Sequence, residues 1–362
     1  MVDSSAPPPA TDEELALFAL KVWQFKQGQM VALMLHLGDE LALFEAMADK
    51  GPMTSDGLAD ATGLSERWVR EWLLGMAAAE VIDSGDGQTF SLSTAGAEVL
   101  THHDRSLWYA GGALSRPHPD RVVDGITNAF HTGIGLVYDE LGPNGAHQIE
   151  RMSAPWTREA LVPVVLELVD GLVDRLQAGA HVIDVGCGSA GALCELAQAF
   201  PSSTFVGYDP STHAIERGND RVRGLGLDNV VLFEAGAEAI DPAATIDLAL
   251  TFDCLHDMPY PSEALTAIHD ALADDGVLLV KEIRSAETFE ENRKNPVLAM
   301  MYGFSLTTCM SSSASEPDGA ALGTLGLPPS RLEALVTASG FEGGFEVHDI
   351  GDPTNLYYVV RP

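Results

Sequence analysis

The eight residues Asp184-Val185-Gly186-Cys187-Gly188-Ser189-Ala190-Gly191 leave an apolar run, His181 to Val185, and enter a helical one. Glycines at 186 and 188 remove Cβ atoms where backbone must turn sharply between strand and helix and approach a ligand. The flanking pattern supplies the sheet that such a turn belongs to. β-rich runs at 181–185, 204–209, 230–233, 246–251 and 276–283 alternate with helical segments, which predicts a doubly wound parallel α/β sheet. Asp209 closes the second run, where a carboxylate can accept hydrogen bonds from ribose hydroxyls. Some nucleoside is therefore expected at the switch point. Gly186 to Gly191 also fit G-x-G-x-x-G, so a dinucleotide stays open at this stage.

Three features weigh against the dinucleotide. Asp184 puts a carboxylate two residues before the first glycine, where an amino group or sulfonium would welcome negative charge. The glycine turn lies mid-chain, behind a helical first half. The last two runs, Phe345 to Ile350 and Asn355 to Val360, are close enough to pair as an antiparallel hairpin. With G-Y-D at 207–209, F-D-C-L-H-D-M at 252–258 and A-D-D-G-V-L-L-V at 273–280, residues 160–362 resemble the class I S-adenosylmethionine-dependent methyltransferases. The whole chain resembles the two-domain small-molecule methyltransferases of the O-methyltransferase type and a group of bacterial relatives of undefined substrate.

The resemblance implies S-adenosylmethionine as cofactor and S-adenosylhomocysteine as product. It implies that Gly186, Cys187 and Gly188 form the turn under the methionine part, that Asp184 favours the amino group, and that Asp209, followed by Pro210, holds both ribose hydroxyls. Gly236, Ala237 and Glu238 would flank adenine, and Phe252 would offer backbone. Many relatives carry Asp where Gly236 stands, so Glu238 or a backbone carbonyl would have to receive the adenine amino group. The segment Leu255-His256-Asp257-Met258 resembles the L-H-D-W stretch whose histidine is a general base, which makes His256 the candidate base with Asp257 beside it. A histidine of pKa near ~6.5 can take a proton from a phenol of pKa about 10 as the methyl bond forms. The insertion around Asn295 to Met310, with Met300, Met301, Tyr302, Phe304 and Met310, is expected to wall an apolar or aromatic small-molecule acceptor.

The first half reads as helix, turn, helix, two-strand candidate, a winged-helix order. Nearly every position from Met30 to Leu37 is apolar, and a helix apolar all round needs cover on all sides, so a homodimer is expected through this half. DNA recognition by Ser65 to Ala79 is opposed by charge: residues 1–104 hold seventeen acids and five bases, and the chain carries 53 acids, 20 bases and a net charge of -33. Such an excess repels phosphate backbones and anionic membrane surfaces. No run approaches the ~20 apolar residues of a membrane span, and the first fifteen residues lack the pattern of a secretory signal, which gives a cytoplasmic expectation. The four cysteines lie far apart without a C-x-x-C pair, so no metal is implied.

The expected organisation is a disordered tail at 1–14, a winged-helix-like dimerisation domain at 15–104, a helical connector or lid at 105–160, and a cofactor-binding domain at 161–362. The alternative is a winged-helix regulator that binds the cofactor as a metabolite sensor without turnover; an NAD-dependent oxidoreductase comes third.

Overall fold

In a computed structural model, which describes residues 10–362, the five runs expected as parallel strands all form, and the C-terminal hairpin joins them in one sheet. The strands are β1 (His181–Val185), β2 (Thr204–Asp209), β3 (Val230–Glu234), β4 (Ile246–Phe252), β5 (Leu272–Ile283), β6 (Gly344–His348) and β7 (Asn355–Arg361). Their order is β3-β2-β1-β4-β5-β7-β6, parallel as far as β5. The last strand, β7, inserts antiparallel between β5 and β6, in a register that sets Val280 opposite Tyr358 and Val347 opposite Tyr358. The order reverses between β1 and β4, and that switch point lies at the carboxyl ends where the glycine turn leaves the sheet.

The central strands are apolar on both faces because helices cover both faces. Val182, Leu248, Leu250 and Tyr357 pack with Leu193 and Leu196 on one side, while Ile183, Val185, Leu278 and Tyr358 pack with Leu265 and Ile268 on the other. Against this background Lys281 and Glu282 are conspicuous: both lie buried at the carboxyl end of β5.

The described residues fall into two compact units, the first ending at Pro117 and the second running from His118 to Pro362. The segment expected as one connector, 105–160, is thus divided. Tyr109 and Leu114 belong to the core of the first unit, where His36 Nδ1 lies 3.2 Å from the Leu114 carbonyl oxygen. Trp156 packs against the sheet of the second. The apolar period of Leu161 to Leu176 predicts one amphipathic helix, and the structure breaks it. Thr157–Val165 is π-helical around Pro163, which has no N–H to give, and Gly171 at φ +74 separates it from the helix Leu172–Ala178.

In the first unit α1 spans Asp12–Glu40. Thr11 caps it, with Glu14 completing a capping box. The helix therefore begins inside the segment expected as a disordered tail; residues 1–9 of that segment lie outside the described residues. The helices α2 (Ser55–Thr62) and α3 (Glu66–Ala78) follow, and Phe44, Leu58, Val69, Trp72, Leu73 and Met76 make the core. The hairpin expected in 81–92 shrinks to one bridge, Asp83 to Ser91, because Thr89–Phe90 pairs with Met53–Thr54 instead. The Asp86 carboxylate accepts the N–H groups of Gln88 and Thr89 and folds the tip into a local turn. No helix among the described residues is long and apolar enough to cross a membrane.

Candidate active site

The glycine turn is pinned to the sheet before any ligand arrives. The N–H groups of Gly186 and Cys187 both donate to the Tyr208 carbonyl, at 2.8 and 3.1 Å. Gly186 sits at φ +78, and a Cβ there would lie 2.6 Å from Cys254 Cβ, so no other residue fits the turn. Gly188, at φ +53, faces open space. The Asp209 carboxylate accepts the Gly188 N–H at 2.8 Å and the Ser211 N–H at 2.9 Å, one on each oxygen. Each oxygen keeps a lone pair for a further donor.

Asp184 stands two residues before this turn and is 2 % exposed. Its Oδ1 is buried without a hydrogen-bond partner. Burial, and then the charge of Asp209, push its pKa up to about 8. Asp209 itself is raised by burial, which its two N–H donors partly offset, with further repulsion from Asp139 and Asp257. Asp139 caps the helix Thr212–Leu225 by accepting from Ser211 Oγ at 2.7 Å and the His213 N–H at 3.2 Å. The carboxyl edge of the sheet is thus a cluster of acids, Asp184 among them fully buried, short of a cation.

At Gly236 a Cβ would meet Glu238 Oε2 at 2.4 Å, because the Glu238 carboxylate folds back to accept the Gly236 N–H at 3.0 Å. The missing side chain at 236 leaves the room that Glu238 fills. Ala237 is buried behind it, and Pro210 is exposed.

After β4 the chain turns through Asp253 at φ +55. Asp253 accepts an ion pair from the buried Lys281 Nζ and a 2.5 Å hydrogen bond from Asn355 Nδ2. Lys281 Nζ also lies 4.4 Å from the centre of the Trp156 ring. Trp156 meets Phe252 edge-on at 5.1 Å and donates from Nε1 to the Tyr357 hydroxyl, which donates to Asp352. This network fixes the backbone of Phe252 to Cys254, and Cys254 Sγ closes the strand gap by donating to the Val185 carbonyl at 3.0 Å.

His256 lies in the next turn, 2 % exposed. Its Nδ1 is 2.5 Å from Glu282 Oε2, and its backbone N–H donates to Glu282 Oε1 at 3.3 Å. Its Nε2 is 3.1 Å from Asp257 Oδ1. Burial alone would depress this histidine, but Asp257 and Glu282 outweigh it and raise its pKa well above that of a free imidazole. The neutral imidazole expected of a free base is here a ring held between two carboxylates. Asp257 accepts the Tyr138 hydroxyl on Oδ2 at 2.7 Å, and Cys309 Sγ lies 4.0 Å from the same hydroxyl.

The structure brings Asp184, Gly186, Cys187, Gly188, Asp209 and Phe252 together around the switch point, with His256 and Asp257 in the loop after β4. It places the expected apolar wall differently: Met301 is buried, whereas Met300 and Tyr302 are exposed, and the insertion instead contributes Cys309. Glu282, Lys281, Tyr138 and Asp139 were not singled out as site residues. For two of them a signal existed, because adjacent opposite charges at the end of an otherwise apolar central strand need partners.

Residues 176–320 match the family model described as "Methyltransferase domain", and residues 29–102 match the one described as "Rv2258c-like winged HTH domain". The carboxy-S-adenosyl-L-methionine synthase of Dichelobacter nodosus is 28% identical over 109 residues, which is 30% of this chain and 46% of that protein. The chain thus spans under half the length of this curated relative. Among solved structures, a Nostoc punctiforme PCC 73102 protein described as a candidate O-methyltransferase superimposes with TM-score 0.71 at 19% identity, over 99% of this chain and 100% of that one. Human N-acetylserotonin methyltransferase, solved in complex with SAM, gives 0.68 at 17% over 98% and 99%. Mitomycin 7-O-methyltransferase gives 0.67 at 21% over 97% and 100%. These likenesses establish a Rossmann-like class I methyltransferase fold behind a winged helix-turn-helix domain.

Lys281 and Asp253 form a pair in which the lysine side chain is 6% and the aspartate 30% exposed. Removing one partner of a fully buried pair costs about 3–5 kcal/mol, and the partial exposure of Asp253 places this pair at or below the low end. Lys281→Met is expected to lower the unfolding free energy by about 2–3 kcal/mol, and addition of Asp253→Asn to restore part of it, both read by urea titration. Equal stability of Lys281→Met and wild type would remove the network from the account.

Proposed function

We propose that this chain, a methyltransferase domain preceded by an Rv2258c-like winged helix-turn-helix domain, transfers a methyl group from S-adenosylmethionine to a small-molecule acceptor, with oxygen as the acceptor atom. The observation that carries the reading is the pair of carboxylates, buried Asp184 with an orphaned oxygen and half-buried Asp209 with spare lone pairs, on either side of a glycine turn with open space at Gly188. Asp184 receives the cofactor's ammonium group and Asp209 its ribose hydroxyls. Gly186, Cys187 and Gly188 supply close backbone, Pro210, Ala237 and Phe252 line the site, and Glu238 stands in for the absent side chain at 236 as acceptor for the adenine amino group. When bound, the cofactor supplies a methyl group already activated on a sulfonium.

What remains for the protein is in-line positioning and activation of the acceptor oxygen. Activation falls to the His256 and Asp257 pair, which Glu282 and Tyr138 orient from outside. The two carboxylates flanking His256 outweigh its burial, so in its deprotonated form the pair is a stronger base than a free imidazole. The product is S-adenosylhomocysteine.

Sensing or DNA binding without turnover has less support. Arg67 and Arg70 of α3 are tied to Glu71 and Glu66 by ion pairs of 2.5 and 2.6 Å, so the helix presents no spare cation to a phosphate. Along α1, Leu15, Phe18, Trp23 and Phe25 are exposed, Trp23 by 71%. A second copy of the chain is the proposed cover, and nucleic acid and membrane are not proposed as partners.

The direct test of the function is calorimetric titration of S-adenosylhomocysteine into wild type and Asp209→Ala. Binding in wild type, weakened roughly a hundredfold in the variant by loss of two hydrogen bonds to a charged group, is the expected result. Absent binding, or equal affinity in both, contradicts it. Light scattering is expected to give twice the 38.4 kDa of the chain and to return 38.4 kDa for Trp23→Glu; a monomeric wild type refutes the dimer.

A further inference from the structure

Among the described residues one group combines three kinds of metal donor. His256 Nε2, an Asp257 carboxylate oxygen and Cys309 Sγ all lie within 4.8 Å of one another. We infer that His256, Asp257 and Cys309 form a divalent cation site that takes a borderline-soft metal of the zinc, iron(II) or cobalt(II) class. The inference deepens the methyl-transfer reading and rests on it for what the cation does; the site itself stands on its own geometry.

The donors are aimed rather than merely near. Glu282 accepts from His256 Nδ1, which leaves Nε2 as the ligating nitrogen, and a carboxylate behind a histidine in this way is the usual outer support of a metal-bound imidazole. Tyr138 donates to Asp257 Oδ2 and so turns Oδ1 toward Nε2, 3.1 Å away. Oδ1 is nevertheless buried with no donor aligned on it. Three ligands around zinc at 2.0–2.3 Å bonds lie about 3.3–3.8 Å apart, so the group closes on a cation with side-chain shifts under about an ångström.

Cys309 comes from elsewhere in the chain, at the end of the π-helical turn Ser305–Cys309, and π-turns concentrate at functional sites. That wall is locked against the segment carrying Tyr138. The Leu136 N–H donates to Ser311 Oγ at 2.7 Å and the Gly135 N–H to the Ala314 carbonyl at 2.9 Å. A Cβ at Gly135 would lie 2.1 Å from the Ser311 carbonyl oxygen, so the two segments are in backbone contact. Mixed nitrogen, oxygen and sulfur donors select zinc-class ions over magnesium or calcium.

Three protein ligands leave a fourth position open, the arrangement of catalytic rather than structural sites. An acceptor hydroxyl bound there becomes acidic at neutral pH. Its O–H bond breaks with the proton released to water, an oxygen lone pair forms the bond to the methyl carbon, and the carbon–sulfur bond breaks with its electron pair retained on sulfur as a neutral thioether. With the cation bound, it performs the activation and the His256 and Asp257 pair serves as its ligands; in the metal-free chain the pair itself is the base.

The test is anaerobic titration of cobalt(II) into the full-length chain stripped with a chelator, read by the thiolate-to-cobalt band in the near ultraviolet and the visible bands of four-coordinate cobalt. Saturation at one cobalt per chain, reversal by zinc, loss of the near-ultraviolet band in Cys309→Ser, and roughly 10–100-fold weaker binding in Glu282→Gln are expected. Glu282→Gln removes no ligand atom, so its effect reports support of the histidine. Absence of the band in wild type, or its persistence in Cys309→Ser, overturns the site. Failure of cobalt binding with S-adenosylhomocysteine binding intact would overturn the cation and leave methyl transfer standing.

Discussion

Two carboxylates at the ends of neighbouring parallel strands, the buried Asp184 and the half-buried Asp209, set the terms for everything around them. Like charges held close in a poorly solvated place cannot both ionise without donors or a cation. Asp209 is given donors, the Gly188 N–H, which the glycine turn folds back under it, and the Ser211 N–H two residues further along its own chain. Asp184 is given none on Oδ1 and answers by holding a proton. The sheet edge is therefore built in the state that a cationic, hydroxyl-bearing ligand would complete, and a class I methyltransferase fold has that ligand chemistry to offer.

The rest of the second unit holds that edge in place. The loop after β4 could not hold its left-handed Asp253 without Lys281 and Asn355, and Lys281 is in turn sheltered by Trp156 and β7. The antiparallel strand β7 has a chemical as well as an architectural task, since Asn355 and Tyr357 reach the network from it. On the opposite face of β5, Glu282 fixes His256 by ring and backbone together. Adjacent residues of one strand thus anchor the Asp253 loop on one face and His256 on the other, as the two-residue period of a strand requires.

Much of this was legible in the sequence. The parallel strands, the glycine turn and Asp209 announce themselves because apolar runs of four to eight residues and Gly-x-Gly spacing are local properties. The place of the last strand, β7, between β5 and β6 was not, since strand order depends on long-range pairing. The helix expected from Leu161 read as continuous because periodicity persists through Pro163, while the missing N–H and Gly171 break its geometry. In the winged-helix half, the Asp86 turn competed successfully with the hairpin. Cys309, Tyr138 and Asp257 belong to three separate segments, so no spacing rule could join them. The charges at 281 and 282 were the missed opportunity: a buried strand does not carry both signs side by side without partners.

The central claim is that Asp184 waits protonated for the ammonium group of the cofactor. Its free carboxyl is protonated below a pH of about 8, and a neighbouring ammonium favours the ionised form, so binding must expel a proton at pH 7, and affinity must rise as pH increases toward 8. Titration of S-adenosylhomocysteine at pH 7 in buffers of different ionisation enthalpy measures this directly. The account predicts release of close to one proton per site, lost in Asp184→Asn. Binding with the same enthalpy in every buffer would contradict it.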